Sequence, residues 1–337
     1  MAMKAAWKVL VTNAVSAATR AGLERFADVS IAPDSTPETL RKSAADADLI
    51  IVRAPLPADI FRHAPKVLGV VRHGVGLDFI PVDSATEHGI LVANVPGANS
   101  NSVAEFCVMQ MLNLLRNPAR AERLIRQSGW AKARAASLQG ADLSGRMVGI
   151  IGFGAIGSRL AHILHFGFQA KVAVCTRQPD SLPDWASHME LGALVSEADF
   201  VVPCVPLTKD TRHLLNADLI GRMKPTACVV NASRGGVIEE PALIHALNES
   251  RIAGAALDVY EDADPQPGDA VMRADNALIT PHLAGNTLDA HARIGEQCVL
   301  EALRILYGER PKNLVNPGAW ERHLARRKAL ELGSDSN

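Results

Sequence analysis

The chain has 337 residues, long for one hydrophobic core and enough for two domains. A hydrophobic fraction of 48% and a charged fraction of 21% are ordinary for a globular enzyme. The formal net charge of -1, with no block of like charges, speaks against a dedicated surface for nucleic acid or acidic membrane.

In chain order, Lys8 to Thr12 reads as a first strand. Short apolar strands follow at Leu49 to Val52, Val67 to Val71 and Gly89 to Asn94, with a helical pattern at Pro37 to Ala45. This alternation predicts a parallel sheet. Asn101 to Gln127 reads as one long helix, apolar at Val103, Phe106, Met109, Met111, Leu112 and Leu115, which Pro118 kinks or ends. Such a helix suits a passage from one domain to the next. After the polar stretch Gly140 to Gly145 the alternation restarts. Strands are expected at 148–152, 171–175, 199–204, 227–231, 253–257 and 277–280, and helices from near Ala155, Leu191, Asn216 and Glu240. Six strands with intervening helices make a doubly wound unit. A further helix spans Leu288 to Leu306 and ends at Arg310-Pro311-Lys312-Asn313. The basic stretch Arg322 to Lys328 reads as a solvated helix face, and Gly333 to Asn337 as a disordered end.

No apolar run of about 20 residues is available to span a membrane. Lys4 and Lys8 are not followed by a signal-peptide pattern, so a cytoplasmic protein is expected. Cys107, Cys175, Cys204, Cys228 and Cys298 are odd in number and widely spaced. That predicts small core residues in a reducing compartment, without disulfides or a metal site.

Chemistry enters with Met147-Val148-Gly149-Ile150-Ile151-Gly152-Phe153-Gly154-Ala155-Ile156-Gly157. An apolar strand runs into G-x-G-x-x-G and then a helix, the order a dinucleotide site needs. Gly152 permits the tight turn, Gly154 lets the backbone approach a pyrophosphate, and Gly157 lets helix and strand pack closely. The helix start at Ala155 and Ile156 offers unpaired N–H groups and a positive dipole end to phosphates. An acid that accepts the ribose hydroxyls of NAD usually follows about 20 residues later. Here no Asp or Glu occurs between Gly157 and Asp180; the second strand ends in Thr176-Arg177-Gln178-Pro179. A hydroxyl beside a guanidinium suits a 2′-phosphate, so NADP(H) is the expected cofactor and NAD(H) the alternative.

Three later strand ends carry candidate reacting groups: Arg234 in Asn231-Ala232-Ser233-Arg234-Gly235-Gly236, Asp258 in Leu257-Asp258-Val259-Tyr260-Glu261, and His282 in Thr280-Pro281-His282. Hydride transfer to a carbonyl needs a proton donor and a cation near the oxygen. His282 can donate the proton and Arg234 can hold a carboxylate and polarise the carbonyl. A nearby carboxylate would keep His282 protonated.

In this combination the chain, from about Arg53 to Pro317, resembles the D-isomer-specific 2-hydroxyacid dehydrogenases. Val71-Arg72-His73-Gly74-Val75-Gly76-Leu77-Asp78 is similar to the family's substrate loop, and Asn99-Ser100-Asn101-Ser102-Val103-Ala104-Glu105 to the start of its interdomain helix. The resemblance implies a Rossmann-type doubly wound parallel cofactor domain plus a smaller, discontinuous, flavodoxin-like α/β substrate domain. It implies boundaries at 1–103, 104–297 and 298–337, the last segment returning to the substrate domain. It further implies substrate contacts from Arg53 and from the N–H groups of Val75 and Gly76. On the cofactor side it implies Val205, Pro206, Thr211, Ala232, Ser233 and Gly285, with Asp258 meeting the nicotinamide carboxamide. A homodimer is the family's common assembly. The family's catalytic acid position falls on Ala263; Asp264, one residue later and before Pro265, fills the role after an insertion, with Glu261 and Asp262 as alternatives.

The expected activity is hydride transfer between NAD(P)H and a small 2-ketoacid of the glyoxylate or hydroxypyruvate type. A D-3-phosphoglycerate-dehydrogenase-like enzyme, in which Arg53 meets a phosphate, is a rival. A non-catalytic nicotinamide-sensing protein of the corepressor type is another.

Overall fold

A computed structural model describes residues 7–138, 140–262 and 265–334, with side chains through Leu330 at the C-terminal end. The chain divides into two compact units, Met1–Asn99 with Leu288–Asn337, and Ser100–Thr287. The first begins with β1 (Trp7–Val11), α1 (Ala17–Glu24), β2 (Ala27–Ile31), α2 (Pro37–Ala44), β3 (Leu49–Val52), β4 (Gly69–Arg72), α3 (Val82–Glu87) and β5 (Leu91–Ala93). The second opens with α4 (Ser100–Arg116), α5 (Pro118–Ser128) and α6 (Trp130–Ser137). It continues through β6 (Met147–Ile151), α7 (Ala155–His162), β7 (Lys171–Cys175), β8 (Ser187–His188), α8 (Leu191–Glu197) and β9 (Phe200–Pro203). Then come α9 (Ala217–Gly221), β10 (Cys228–Asn231), α10 (Glu240–Asn248), β11 (Gly254–Leu257) and β12 (Ala277–Ile279). The chain returns to the first unit with α11 (Leu288–Leu306) and α12 (Trp320–Ser334).

The first unit's sheet is parallel in the order β2-β1-β3-β4-β5, the flavodoxin-like order. Alternate residues of its strands feed two cores. Val9, Val11, Ile51 and Val71 pack against α11 through Ile294, Cys298, Ala302 and Ile305. Leu10, Ile50, Val52 and Val70 face Leu40, Ala44, Ile60 and Phe61 on the other side. β2 escapes the apolar pattern because it lies at the sheet edge with Asp28, Ser30 and Ile31 exposed.

The basic stretch in α12 is not a solvated face. The Arg326 guanidinium donates to the carbonyls of Val67 at 3.0 Å and Pro65 at 2.6 Å. Arg327 donates to those of Ile305 and Leu306 at the end of α11, at 3.2 and 2.8 Å. His323 is fully buried. Arginine here satisfies carbonyls that loops and helix ends leave unpaired, so α12 straps the unit together. Gly333 and Ser334 are helical; the rest of the expected disordered end lies outside the described residues.

The second unit's sheet runs β12-β11-β10-β9-β6-β7-β8, all parallel. Counted from β6, this is the doubly wound order 3-2-1-4-5-6 with a seventh strand added. The strand missing from the sequence reading, β8, has two exposed residues and no apolar pattern to betray it. The expected long helix is broken at Asn117, which is left-handed with φ 43° and accepts the N–H of Arg120, while Pro118 starts α5. The unit boundaries coincide with the starts of α4 and α11, whereas 103/104 and 297/298 fall inside those helices. All five cysteines are free, and Cys107, Cys228 and Cys298 are buried. No helix among the described residues is long and apolar enough to cross a membrane.

Candidate active site

Each unit presents its candidate residues at the carboxyl ends of parallel strands, where open α/β sheets bind ligands. In the Ser100–Thr287 unit the strand order reverses between β6 and β9, and the glycine turn sits there. Gly152 has φ 98°, and a Cβ on it would lie 2.7 Å from the Val205 side chain and 2.8 Å from the Cys204 carbonyl. A Cβ on Gly157 would meet the Gly152 carbonyl at 2.2 Å. Gly154 differs: it caps α7, it is exposed, and a Cβ there would touch nothing within 4 Å. Packing does not require that glycine, whereas a ligand lying against the backbone would. Ala155 beside it is exposed and Ile156 half-buried, so the positive end of α7 is open. These residues fit a dinucleotide.

Around this turn, the Val205–Pro206 loop is closed by Thr211, whose hydroxyl donates to the Pro206 carbonyl at 2.6 Å and accepts the Thr208 N–H at 2.7 Å. At the end of β7, Thr176 is half-buried and accepts the Gln178 N–H at 3.2 Å, and Arg177 is exposed. Asp180 is exposed in the short helical turn Pro179–Ser181.

The end of β10 is shaped by Asn231, a buried side chain that sequence reasoning passed over. Its Oδ1 accepts the N–H and hydroxyl of Ser233 at 3.0 and 2.8 Å, and its Nδ2 donates to the Arg234 carbonyl at 3.1 Å. This turn displays half-buried Ala232, Ser233 and Arg234. Gly235 presses on the next strand end so closely that a Cβ would lie 1.7 Å from the Tyr260 carbonyl.

Asp258, at the end of β11, is fully buried. Its carboxylate accepts the Thr280 hydroxyl at 2.7 Å and the N–H groups of Leu283 and Ala284, both at 2.8 Å. Tyr260 adds a second brace: its hydroxyl donates to the Thr280 carbonyl at 2.8 Å and accepts the Thr280 N–H at 3.0 Å. Between these anchors His282 is exposed and left-handed, with φ 52°. A β11 carboxylate and phenol thus fix the turn that carries the imidazole, and half-buried Gly285 closes it. An Asp two residues before a Tyr, next to a strand end, was the available signal for this brace.

Of the three acids considered for His282, Asp264 lies outside the described residues, as does Ala263. Glu261 is engaged elsewhere, accepting from His213 at 2.7 Å and Arg212 at 3.0 Å. Asp262 is exposed.

In the other unit, Arg53 follows β3 and Val75 and Gly76 follow β4. Arg72 donates to the Gly76 carbonyl at 3.1 Å and Asn94 to the Val75 carbonyl at 2.8 Å, holding the loop from both sides.

Comparison with known proteins identifies the family. Residues 108–284 match the D-isomer specific 2-hydroxyacid dehydrogenase, NAD binding domain. A glyoxylate reductase of Korarchaeum cryptofilum is 32% identical over 317 residues, covering 92% of this chain and 96% of that protein. A D-3-phosphoglycerate dehydrogenase of Methanocaldococcus jannaschii is 34% identical over 319 residues, 92% of this chain; the chain spans only 59% of that relative's length. A crystal structure of an NADPH-dependent glyoxylate/hydroxypyruvate reductase from Sinorhizobium meliloti, in complex with NADP and malonate, aligns with TM-score 0.83 at 27% identity, covering 93% of this chain and 97% of that one. The chain belongs to the D-isomer-specific 2-hydroxyacid dehydrogenases, enzymes that move a hydride between a nicotinamide cofactor and a 2-hydroxy acid or its ketoacid.

Proposed function

We propose that the protein is an NADPH-preferring reductase of small 2-ketoacids of the glyoxylate or hydroxypyruvate type, reversible as a D-2-hydroxyacid dehydrogenase. The observation that carries this reading is the Asp258 clamp, which fixes the His282 turn on the same sheet rim as the Arg234 turn and the glycine turn. When bound, the nicotinamide supplies the hydride. Arg234 holds the substrate carboxylate and polarises the neighbouring carbonyl, and His282 gives its proton to the carbonyl oxygen. Asp264 keeps His282 protonated until then. Arg53 and the N–H groups of Val75 and Gly76 belong to the substrate side, so residues 1–99 with 288–337 act as the substrate domain. Gly154, Ala155 and Ile156 receive the pyrophosphate; Val205, Pro206, Thr211, Ala232, Ser233, Asp258 and Gly285 border the cofactor.

Thr176 and Arg177 support NADPH over NADH, since neither would repel a 2′-phosphate and the guanidinium would attract it. The name of the Sinorhizobium meliloti neighbour points the same way. A homodimer through the α5–α6 hairpin is part of the proposal: α5 has no buried residue, and Ile125, Trp130 and Leu138 are exposed on this hairpin. A cytoplasmic location accords with five unpaired cysteines.

The test is the near-ultraviolet absorbance of NADPH and NADH followed in parallel against a panel of 2-ketoacids. Faster consumption of NADPH with glyoxylate or hydroxypyruvate supports the proposal. An NADH preference removes the cofactor argument alone. Silence with both cofactors, with tight nicotinamide binding retained, returns the reading to a sensing protein.

A further inference from the structure

Two glycines follow Arg234, and each marks a close approach to a neighbouring segment. A Cβ on Gly235 would lie 1.7 Å from the Tyr260 carbonyl and 2.5 Å from the Glu261 nitrogen. A Cβ on Gly236 would lie 3.3 Å from the Leu207 side chain and 3.5 Å from an Arg212 guanidinium nitrogen. The Arg234 turn therefore touches the end of β11 through Gly235 and the loop after β9 through Gly236. Backbone bonds join the same loop to the same turn: the His213 N–H donates to the Gly236 carbonyl at 2.8 Å and the Leu215 N–H to the Val237 carbonyl at 3.1 Å.

A carboxylate ties these three segments together. Glu261 Oε1 accepts from Arg212 Nη2 at 3.0 Å and from His213 Nε2 at 2.7 Å. The Glu261 N–H in turn donates to the Glu240 carboxylate, at the start of α10, at 2.9 Å. His213 is left-handed, with φ 50°, a conformation that a non-glycine residue keeps only where its surroundings hold it. Arg212 and His213 follow directly on Thr211, whose hydroxyl closes the Val205–Pro206 loop. An exposed ion pair contributes little by itself. Here the Glu261 side chain is only 28% exposed, and both partners converge on one of its oxygens.

We propose that Glu261 is a positioning residue, which through Arg212 and His213 holds the cofactor loop, residues 205–211, in register with the Arg234 turn. This rests on the 2-ketoacid reductase reading, in which that loop borders the cofactor and Arg234 holds the substrate carboxylate. A clasp between the two sets the nicotinamide against the substrate carbonyl, and reacting groups lose rate steeply when they are misplaced. Glu261 thereby has a role of its own, separate from keeping His282 protonated.

The test compares the wild type with Glu261→Gln, His213→Ala, His213→Gln and the double variant Glu261→Gln/His213→Ala. Equilibrium titration with NADPH and NADH, followed by nicotinamide fluorescence, should show Kd raised roughly 5-fold by Glu261→Gln, the scale of one ion pair. Its kcat for glyoxylate or hydroxypyruvate should fall by about 10-fold, with the ketoacid KM changed less. The double variant should be no worse than Glu261→Gln, because the groups act as one unit. His213→Gln, which keeps a donor at the Nε2 position, should recover most of what His213→Ala loses. Hydrogen exchange over residues 205–213 in the cofactor-free protein should quicken in Glu261→Gln. Arg212 is exposed, so Arg212→Ala gives the same readouts if Glu261→Gln fails to fold. A lowered melting point with wild-type Kd, kcat and exchange would leave Glu261 a purely structural residue, and additive losses would separate it from His213; either result overturns the proposal. Cofactor binding and exchange that follow the expected pattern, without reduction of any ketoacid, support the clasp and count against the reductase reading alone.

Discussion

The rims of the two sheets obey one topological rule and are built from opposite chemistry. The Ser100–Thr287 rim is organised by Asn231, Asp258 and Tyr260, whose polar atoms bond to the turns they shape. The other rim gathers Arg53, Arg72, His73 and His291 and leaves the His73 Nε2 without a hydrogen-bond partner among the described residues. A saturated network holds catalytic groups in fixed positions, because each anchor is already committed. A buried imidazole among basic groups instead resists taking up a proton. The contrast predicts that substitutions on the first rim act on turnover, and those on the second on acid stability.

The largest effect is expected from Arg234→Ala. Removing the cation that polarises the carbonyl should raise the barrier by about 2–4 kcal/mol, seen as a fall in kcat/KM. Unchanged turnover in this variant would remove Arg234 from the mechanism.

Asp258→Asn probes the brace. An amide can accept through one atom only, so at least one of the Leu283 and Ala284 N–H groups would face an NH2 group. The expected loss is about 1–3 kcal/mol in stability by thermal melting, with kcat lowered because the His282 turn relaxes. A variant with the wild-type melting point and kcat would show that the turn holds itself.

The second rim should make its unit sensitive to acid. The His73 imidazole titrates at about 3 when folded, against an ordinary value of 6.5. Between those values the unfolded chain binds the proton and the folded chain does not, so stability is lost as pH falls below 6.5. The loss from His73 alone is about 2 kcal/mol by about pH 5. Burial lowers His291 and His323 as well, and both add in the same direction. Urea denaturation at about pH 7 and about pH 5 measures this. His73→Asn should flatten the dependence, and an unaltered slope would mean that other groups control it.

What could be read from the sequence follows the same divide. Strands buried on both faces, such as β3 and β7, announce themselves as apolar runs, and the glycine turn by its spacing. The edge strands β2 and β8 and the strap α12 do not, because their roles depend on what lies beside them. Arg326 looks like surface charge until the carbonyls of Val67 and Pro65 are brought to it. Arg234, Asp258 and His282 stand out as polar residues after apolar strands, but that Asp258 braces the His282 turn is visible only once β11 and the end of β12 are neighbours. His73 gave no signal, since its distinguishing property is an unmet bond.

The smallest expected effect concerns Arg177, exposed at the end of β7. Its proposed contact with a 2′-phosphate lies in water, where a single charge pair contributes only about 1 kcal/mol. Arg177→Ala should therefore raise the KM for NADPH by roughly 5-fold and leave the KM for NADH where it was. The difference should shrink as ionic strength rises, because exposed charges are screened over about 10 Å at 0.1 M salt. Equal changes for both cofactors would assign Arg177 to the adenosine side without phosphate selectivity. The weight of the NADPH preference would then fall on Thr176, whose half-buried hydroxyl accepts the Gln178 N–H and keeps its own proton to donate.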